Sequence, residues 1–332
     1  MLFWLLIITV ILSFAGTFIT IKVARRRKIL DYPNPRSSHS VPTPRGGGLA
    51  IVFSWYIGIL GLKYLDLIDH DLFLALMSGG ILALVGFLDD LFSIKPWIRI
   101  IFQVLTVSLG LYLLKGIEFL YLDNGIIIQS VLLSILAVIA GIWFINLYNF
   151  LDGIDGYASV EAICIAAGLY LMTQNPVLLI LILSVSGFLI WNWPLAKIFM
   201  GDTGSTQLGY IFVILAIHFN NSLHFSILGL SILSSLFWFD ASLTLWRRWK
   251  NKENLSQAHK KHAYQRIVQY GYSHQKTILI SICINAFFIL LVYLTENNFI
   301  SYFVSLPLCL IINYLLNKQV DRRFPFEYTL VP

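Results

Sequence analysis

The sequence predicts an all-α, polytopic membrane protein, and three features support that fold class. Hydrophobic residues make up 58% of the 332 residues and charged residues only 12%, whereas soluble domains carry roughly 25% charged residues. Mean hydropathy is +0.78. Several apolar runs approach the roughly 20 residues that a helix needs to cross the hydrocarbon core, and basic residues gather between alternate runs. We therefore expect one integral membrane domain over residues 1–332.

The lengths of the apolar runs predict about eleven transmembrane helices. Charges follow the first run rather than precede it, and no small-residue cleavage site is evident, so a retained helix is expected there rather than a signal peptide. The run at 206–219 is short and predicts a helix that is tilted or extended. The expected spans are 2–23, 47–65, 71–88, 98–115, 127–146, 157–173, 177–194, 206–219, 224–246, 277–295 and 299–316.

The positions of lysine and arginine predict the orientation in the membrane. Only Lys63 and Lys115 fall on one side of the expected bundle, and the other 21 of the 23 basic residues fall on the opposite side or at its edge. Because cytoplasmic loops are enriched in lysine and arginine, we expect a periplasmic N-terminus and a cytoplasmic C-terminus in a bacterial cytoplasmic (inner) membrane. The cytoplasmic loops, which carry most of the polar chemistry, would be 24–46, 89–97, 147–156, 195–205 and 247–276.

The first cytoplasmic loop combines prolines, glycines and cationic side chains. Arg36, His39 and Arg45 are donors suited to phosphate, and Gly47 lies in the middle of three glycines that start a span. Backbone N–H groups of such glycines can face an anion at a helix start. The alternative is a helix-entry turn that carries only positive-inside anchors.

Aspartates lie where apolar runs meet loops. Asp89 and Asp90 are adjacent at the end of one span, and Asp202 lies between glycines just before another. Neighbouring carboxylates repel one another unless they share a proton or a cation. Mg²⁺ would relieve that repulsion and could hold phosphate. A solvated helix end at the first position and a plain N-cap at the second are the alternatives.

An array of amides and carboxylates follows in NLYNFLDGIDG. Asn146, Asn149 and Asp152 recur every three residues, which predicts one side of a helix, and Asp155 follows three residues later, where glycines are expected to break it. Such groups can bind a nucleobase, a ribose or a metal ion.

The longest expected cytoplasmic loop, residues 247–276 (the late loop), carries AHKKHAYQRI. His259, His262 and Arg266 could share one helical face. The spacing of the histidines resembles a metal-ligand pair, but Lys260 and Lys261 between them favour anion binding, so we expect contact with a diphosphate. A basic stretch lying on lipid headgroups is the alternative. Asp240, near the inner end of its span, is a further candidate residue.

Taken together, DYPNPRSSH with GGG, FLDD, NLYNFLDGIDG, FMGDTGS and the late basic loop resemble one family. They are similar to the polyprenyl-phosphate N-acetylhexosamine-1-phosphate transferases of the glycosyltransferase 4 group, which are relatives of the translocase that forms lipid I. The motifs lie in the family's order over residues 31–266. The resemblance implies transfer of a sugar 1-phosphate from a UDP-sugar to undecaprenyl phosphate, with UMP released and Mg²⁺ required, or Mn²⁺ in its place.

The resemblance also implies roles for individual residues. Asp202 would bind the metal, with Asp90 and Asp152 as further ligands, and Asp89 and Asp90 would either bind metal or position and deprotonate the lipid phosphate. The implied substrate contacts are Arg36, His39, Arg45, Gly47, Asn146, Asn149, Asp152, Asp155, His259, His262 and Arg266.

The sequence departs from the family in the late loop. Well-known branches carry a longer histidine run such as HLHH, whereas this chain has His262-Ala263-Tyr264-Gln265 and retains Arg266. This pattern resembles the branch that initiates O-antigen synthesis, which favours a 6-deoxy-N-acetylhexosamine donor as a hypothesis. Membrane lipids and a homodimeric partner chain are also expected, and no nucleic acid is expected despite the net charge of +6.

Two other functions compete with the transferase. A transporter or flippase would place charges near the membrane midplane and often shows inverted repeats, but the carboxylates here cluster at one surface and no repeat is visible. A receptor or scaffold with a metal-stabilised face would not need the asparagine and aspartate array. For the transferase, we favour direct attack by the lipid phosphate over a covalent aspartyl intermediate, because one metal and one base suffice.

Overall fold

The fold was analysed in a computed structural model, which describes residues 1–33, 41–117, 119–121, 127–129, 132–222, 225–255, 257 and 259–326. Helices account for most of these residues. They are α1 (Leu2–Arg27), α2 (Gly48–Tyr64), α3 (His70–Ser78), α4 (Gly80–Phe92), α5 (Pro96–Leu113), α6 (Leu132–Phe150), α7 (Tyr157–Thr173), α8 (Pro176–Asn192), α9 (Asp202–Asn221), α10 (Ile227–Leu233), α11 (Ser235–Lys250), α12 (Ala263–Gln269), α13 (His274–Glu296) and α14 (Tyr302–Arg323).

The described helices are those of a multi-pass membrane protein. Six of them, with α3 and α4 taken together, are long and apolar enough to cross a membrane, and the bent pair α10 and α11 would make a seventh. Three further apolar helices, α2, α7 and α8, are shorter. Each expected span coincides with a helix or a pair of helices, but the count of eleven crossings and their orientation stay predictions.

Three expected boundaries differ from the structure. The run at 71–88 is divided into α3 and α4 at Gly79, and the run at 224–246 is divided at Ser234, where α10 and α11 meet at 77°. Helix α6 begins at Leu132 rather than near 127, because residues 127–129 form a strand instead. Apolar composition alone cannot distinguish a straight span from a bent one, nor a short buried strand from a helix.

Two small antiparallel hairpins complete the described structure. Strands β1 (Leu30–Asp31) and β2 (Thr43–Pro44) pair next to the start of α2. Strands β3 (Phe119–Tyr121) and β4 (Ile127–Gln129) pair between α5 and α6. The first hairpin places Arg45, one residue after β2, at the start of α2.

Helix α9 is the centre of the bundle. Nearly all of its residues are buried, and it packs against α2, α4 and α6. Glycines permit close approach where α2 begins: a Cβ on Gly48 would lie 2.3 Å from the backbone nitrogen of Gly204. This contact, together with the packing of α4 on α9, brings the first turn of α9 beside Arg45 and the end of α4.

Candidate functional site

Five charged residues meet where α4 ends and α5 and α9 begin. They are Asp89, Asp90, Arg45, Arg99 and Asp202. The structure therefore brings together three of the aspartates and one of the arginines that the sequence indicated. It adds Arg99, which no motif marked. The connection from α4 to α5 is only three residues long, and that shortness is the signal that could have placed Arg99 beside Asp89.

Asp90 holds the first turn of α9. Its carboxylate accepts hydrogen bonds from the backbone N–H groups of Asp202 (2.9 Å) and Thr203 (3.1 Å) and from the Thr203 hydroxyl (2.7 Å). The Nε of Arg45 lies 3.0 Å from one oxygen, and the Asp90 side chain is 3% exposed. A carboxylate at a helix start satisfies N–H groups that have no partner within the helix. Metal binding by Asp90, as expected from the resemblance, would compete with all four donors.

Asp202 and Asp89 share one guanidinium. Arg99 Nη1 lies 2.6 Å from an oxygen of each carboxylate, and Arg45 Nη2 lies 3.1 Å from the other oxygen of Asp202. The second oxygen of Asp89 accepts a hydrogen bond from the Ile94 N–H at 2.5 Å. Desolvation, together with the hydrogen bond to Asp89, raises the pKa of Asp202 to about 7, although Arg45 and Arg99 oppose that rise. The two arginines are partly exposed, so their charges can reach an incoming anion.

The residues of the asparagine and aspartate array do not all lie on one helix. Helix α6 ends at Phe150, so Asp152 and Asp155 lie in the loop before α7. Asp152 accepts a hydrogen bond from the Gly201 N–H at 3.2 Å, which places it next to Asp202. Burial raises the pKa of the Asp152 carboxyl to about 6, and the hydrogen bond from Gly201 opposes the rise.

The other members of the array face different neighbours. Asn149 accepts a 2.5 Å hydrogen bond from the Ser205 hydroxyl and so also faces the start of α9. Asn146 pairs with Gln103 of α5 at 2.7 Å. Asp155 accepts from the Ala196 N–H, and the Nδ1 of His274 lies 3.2 Å from the same oxygen. Asn149 and Asp152 thus join the charged cluster, whereas Asp155 secures a neighbouring turn.

The glycine N–H groups at the start of α2 do not face an anion. Gly47 donates to the Phe199 carbonyl at 2.9 Å and Gly48 donates to the Met200 carbonyl at 2.8 Å. A Cβ on Gly47 would lie 2.3 Å from the Phe188 ring. The expectation for the Gly47 N–H is wrong in this structure, because the glycines serve close packing against the segment before Asp202. Arg36 and His39, which were also predicted to bind phosphate in this loop, lie outside the described residues.

The late loop is folded into the protein. His262 caps α12 through a reciprocal pair of hydrogen bonds with Gln265, and Arg266 binds Asp321 (2.9 Å) and the Phe324 carbonyl (2.6 Å) of the C-terminal region. Burial, with smaller contributions from His262 and nearby cations, lowers the pKa of His259 to about 3. His262 and Arg266 are each 3% exposed. Both therefore lie inside the contact between α11, α12 and α14 rather than on an open cationic surface.

A separate apolar groove lies along α6 and α9. It has a volume of about 430 Å³ and is lined by α6, α9, α10 and α11, with Trp143, Leu147, Val213 and Trp238 among its walls. The ends of α6 and α9 carry Asn149 and Asp202. The groove-lining residues lie further along both helices, between Leu133 and Leu147 of α6 and between Val213 and Ile217 of α9.

Several known proteins are similar to this chain in sequence. Residues 72–220 match the family described as Glycosyl transferase family 4. The chain is 28% identical to the probable undecaprenyl-phosphate N-acetylglucosaminyl 1-phosphate transferase of Bacillus subtilis (strain 168) over 296 residues, which cover 83% of this chain and 80% of that protein. It is 28% identical over 315 residues to the undecaprenyl-phosphate alpha-N-acetylglucosaminyl 1-phosphate transferase of Thermotoga maritima, with 93% and 96% covered.

A more distant group matches part of the chain. The phospho-N-acetylmuramoyl-pentapeptide-transferase of Streptococcus pneumoniae (strain CGSP14) is 31% identical over 191 residues, which cover 50% of this chain and 56% of that protein. These names describe sugar-phosphate transferases, in agreement with the resemblance that the motifs indicated. The resemblance to this family is confirmed as a similarity: residues 72–220 match glycosyl transferase family 4, and relatives that align over most of the chain are named undecaprenyl-phosphate N-acetylglucosaminyl 1-phosphate transferases.

Proposed function

We propose that the protein transfers N-acetylhexosamine 1-phosphate from a UDP-sugar to undecaprenyl phosphate at the cytoplasmic face of the bacterial inner membrane. The observation that carries the proposal is the charged cluster, in which the partly exposed Arg45 and Arg99 contact the carboxylates of Asp89, Asp90 and Asp202. A lipid phosphate has a polar end, which these arginines would bind, and a long hydrocarbon tail, which the apolar groove along α6 and α9 would take. The names of the relatives support the same reaction type.

The arginines would supply positive charge to the reacting phosphates. Arg45 and Arg99 are 36% and 27% exposed and contact Asp202 from two sides. Phosphoryl transfer depends mainly on positioning and charge neutralisation, and guanidinium groups match phosphate oxygens well. An incoming phosphate would take one guanidinium from Asp202 and leave that carboxylate free for another partner.

The charge balance fits a divalent cation. Asp89, Asp90, Asp152 and Asp202 carry four carboxylates against the two guanidinium groups of Arg45 and Arg99, which leaves two negative charges uncompensated when all four are ionised. No three histidine, cysteine or acidic side chains converge on one point within the described ranges. Mg²⁺ commonly takes one or two carboxylates and completes its shell with substrate phosphates and water.

Asp202 and Asp152 are the residues that would hold Mg²⁺, or Mn²⁺ in its place. Asp90 would not, because its oxygens hold the first turn of α9. When bound, the ion would neutralise charge that develops on the phosphate oxygens. Asp89 keeps Arg99 in place and, as a carboxylate at the same cluster, is the residue we propose to orient and deprotonate the lipid phosphate.

The reaction is an exchange at phosphorus. An oxygen of the lipid phosphate forms a bond to the β-phosphorus of the UDP-sugar, the bond from that phosphorus to the α,β-bridging oxygen breaks, and UMP leaves with that oxygen. The product is a lipid-linked diphosphate sugar, which would start a cell-surface glycan such as O-antigen. We propose the eleven-span topology with both substrates meeting on the cytoplasmic side.

The first test is UMP release by the purified protein. It would be supplied with undecaprenyl phosphate, Mg²⁺ and a panel of UDP-N-acetylhexosamines that includes 6-deoxy sugars. We expect UMP only when both lipid and Mg²⁺ are present, and at least about a 10²-fold loss in Asp202→Asn, as for other removed electrostatic stabilisers. The donor with the highest kcat/KM names the sugar.

Two results would contradict the proposed transferase activity. If folded protein releases no UMP with any donor, and cells that express it accumulate no lipid-linked sugar, the transferase proposal fails. UMP release without the lipid would instead indicate a hydrolase.

A further inference from the structure

Helix α12 holds both ends of the loop that carries Asp152. The Tyr264 ring stacks on Tyr157 at 4.7 Å, where α7 begins, and its hydroxyl donates to the Phe150 carbonyl at 2.8 Å, where α6 ends. A Cβ on Gly153 would lie 2.5 Å from the Tyr264 hydroxyl. Helix α12 therefore contacts the 151–156 loop at both flanks and at Gly153.

A buried carboxylate in α11 fixes the start of α12. The backbone N–H of Ala263 lies 3.0 Å from each oxygen of Asp240, and the Nδ1 of His262 lies 3.6 Å from one of them. Asp240 is 6% exposed. Seven residues make α12, and a helix this short depends on its contacts rather than on its own propensity. Asp240 is thus the fixed point from which Tyr264 reaches the loop.

Helix α11, which carries Asp240, also forms part of a wall of the apolar groove. Ser234 and Trp238 line the groove, and Asp240 lies two residues further along α11. In the other direction, Asp152 accepts from the Gly201 N–H, next to Asp202. The contacts therefore run from the groove wall through Asp240 and α12 to Gly153, which is adjacent to Asp152 in the chain, and Asp152 in turn bonds to Gly201, just before α9.

We infer that Asp240 is a positioning residue for the donor side of the reaction. Through α12 it fixes the 151–156 loop, and with it Asp152, in the place where the UDP-sugar and its metal would bind. It contacts none of the reacting groups. This inference rests on the proposed function, because it assigns Asp152 to the donor site.

The test separates the hydrogen bond of Asp240 from its charge. Asp240→Leu removes both acceptors at similar size, whereas Asp240→Asn keeps one oxygen for the Ala263 N–H. We expect KM for the UDP-sugar to rise about tenfold in Asp240→Leu, as for loss of a hydrogen bond to a buried charged group, with KM for undecaprenyl phosphate unchanged. Asp240→Asn should retain wild-type values.

Tyr264→Phe gives an independent check on the same chain of contacts. It removes the hydroxyl that reaches the Phe150 carbonyl without touching Asp240, and should raise the same KM by a smaller factor. The double variant should be no worse than Asp240→Leu alone, because residues in one network are not additive. The matched control is Ser235→Ala. Ser235 lies on α11, as Asp240 does, and its hydroxyl accepts a hydrogen bond from Asn313 of α14. This variant should leave both KM values unchanged.

Amide hydrogen exchange makes the inference testable without catalysis. Residues 151–156 should exchange faster in Asp240→Leu than in wild type, whereas Ser235→Ala should match wild type. Unchanged exchange in this loop overturns the positioning role, even if the proposed reaction fails for other reasons. Equal losses in Asp240→Asn and Asp240→Leu, or equal increases in both KM values, would also overturn it.

Discussion

The charged cluster and the late loop each carry an arginine that the sequence assigns to phosphate, Arg45 and Arg266, yet the two regions use them differently. Arg45 and Arg99 are 36% and 27% exposed and bind aspartates of the cluster. The Arg266 side chain is 3% exposed and is held by Asp321 and a backbone carbonyl near the C-terminus. Solvent exposure, rather than residue type, thus distinguishes an arginine whose guanidinium could exchange an aspartate for a substrate phosphate from an arginine that stabilises the fold.

The largest difference between the two regions should appear in Arg99→Gln. This change removes a guanidinium from the phosphate site, so we expect kcat/KM for UMP release to fall about 10²-fold, as for other removed electrostatic stabilisers. Thermal stability in detergent should fall only modestly, because Arg99 is partly exposed, although Asp89 and Asp202 lose the guanidinium that they share. A large loss of stability with normal catalysis in the residual folded protein would show that Arg99 is structural and would end the contrast with Arg266.

Arg266→Gln should give the opposite result. It breaks the contacts with Asp321 and the Phe324 carbonyl, and we expect the free energy of unfolding to fall by about 1–3 kcal/mol, less than for a fully buried ion pair because Asp321 is partly exposed. KM for the UDP-sugar should stay near the wild-type value. Arg323→Gln, an exposed arginine at the end of α14, is the control and should change stability by less than about 0.5 kcal/mol. A raised KM at unchanged stability would restore diphosphate binding to the late loop.

A smaller effect should come from Thr203→Val. The hydroxyl of Thr203 donates to Asp90, and its loss should lower the free energy of unfolding by about 1 kcal/mol. The Mg²⁺ concentration for half-maximal activity should not change, because Asp90 would not bind the metal. Thr206→Val, whose hydroxyl donates only within α9, is the control. A marked shift in Mg²⁺ dependence in Thr203→Val alone would place Asp90 among the metal ligands.

The smallest effect concerns pH and His259. Burial lowers its pKa to about 3 in the folded protein, against about 6.5 in an unfolded chain, so the unfolded state binds the extra proton between these values. Stability should therefore fall as pH drops below about 6.5, by at most about 1.4 kcal/mol per pH unit, and should gain nothing from this group at higher pH. Melting temperatures at several pH values would measure this slope.

His259→Gln should reduce that slope, whereas His70→Gln, at an exposed position, should leave it unchanged. An unchanged slope in His259→Gln would mean that the imidazole is accessible and can become cationic. The late loop would then differ less from the charged cluster than the structure indicates.

The lengths of the apolar runs were enough to locate the long helices, but not the breaks within them. Gly79 and Ser234 interrupt expected spans without any change in hydrophobicity, and the strand at 127–129 is as apolar as the helix that follows. What decides these positions is packing between distant segments, such as the contact of Gly79 with Tyr210 of α9. A single sequence does not report such contacts.

The candidate site was predictable where carboxylates stand at the ends of apolar runs. Asp89, Asp90 and Asp202 were identified this way, and the structure brings them together. Arg99 escaped notice because an arginine near a cytoplasmic helix start is ordinary in a membrane protein. The burial of Arg266 was equally hidden, because the motif says nothing of the C-terminal helix that covers it.

The 77° bend between α10 and α11 has a consequence for how the two substrates arrive. Both halves of the bent pair contribute to one wall of the apolar groove, with Ile227 and Leu230 from α10 and Trp238 from α11, whereas a straight span would present a single continuous face there. A polyprenyl tail could lie along this wall while the nucleotide approaches from water. The lipid tail would then stay in the hydrocarbon phase and the nucleotide in water, and the two substrates would bind to the protein at the membrane–water interface.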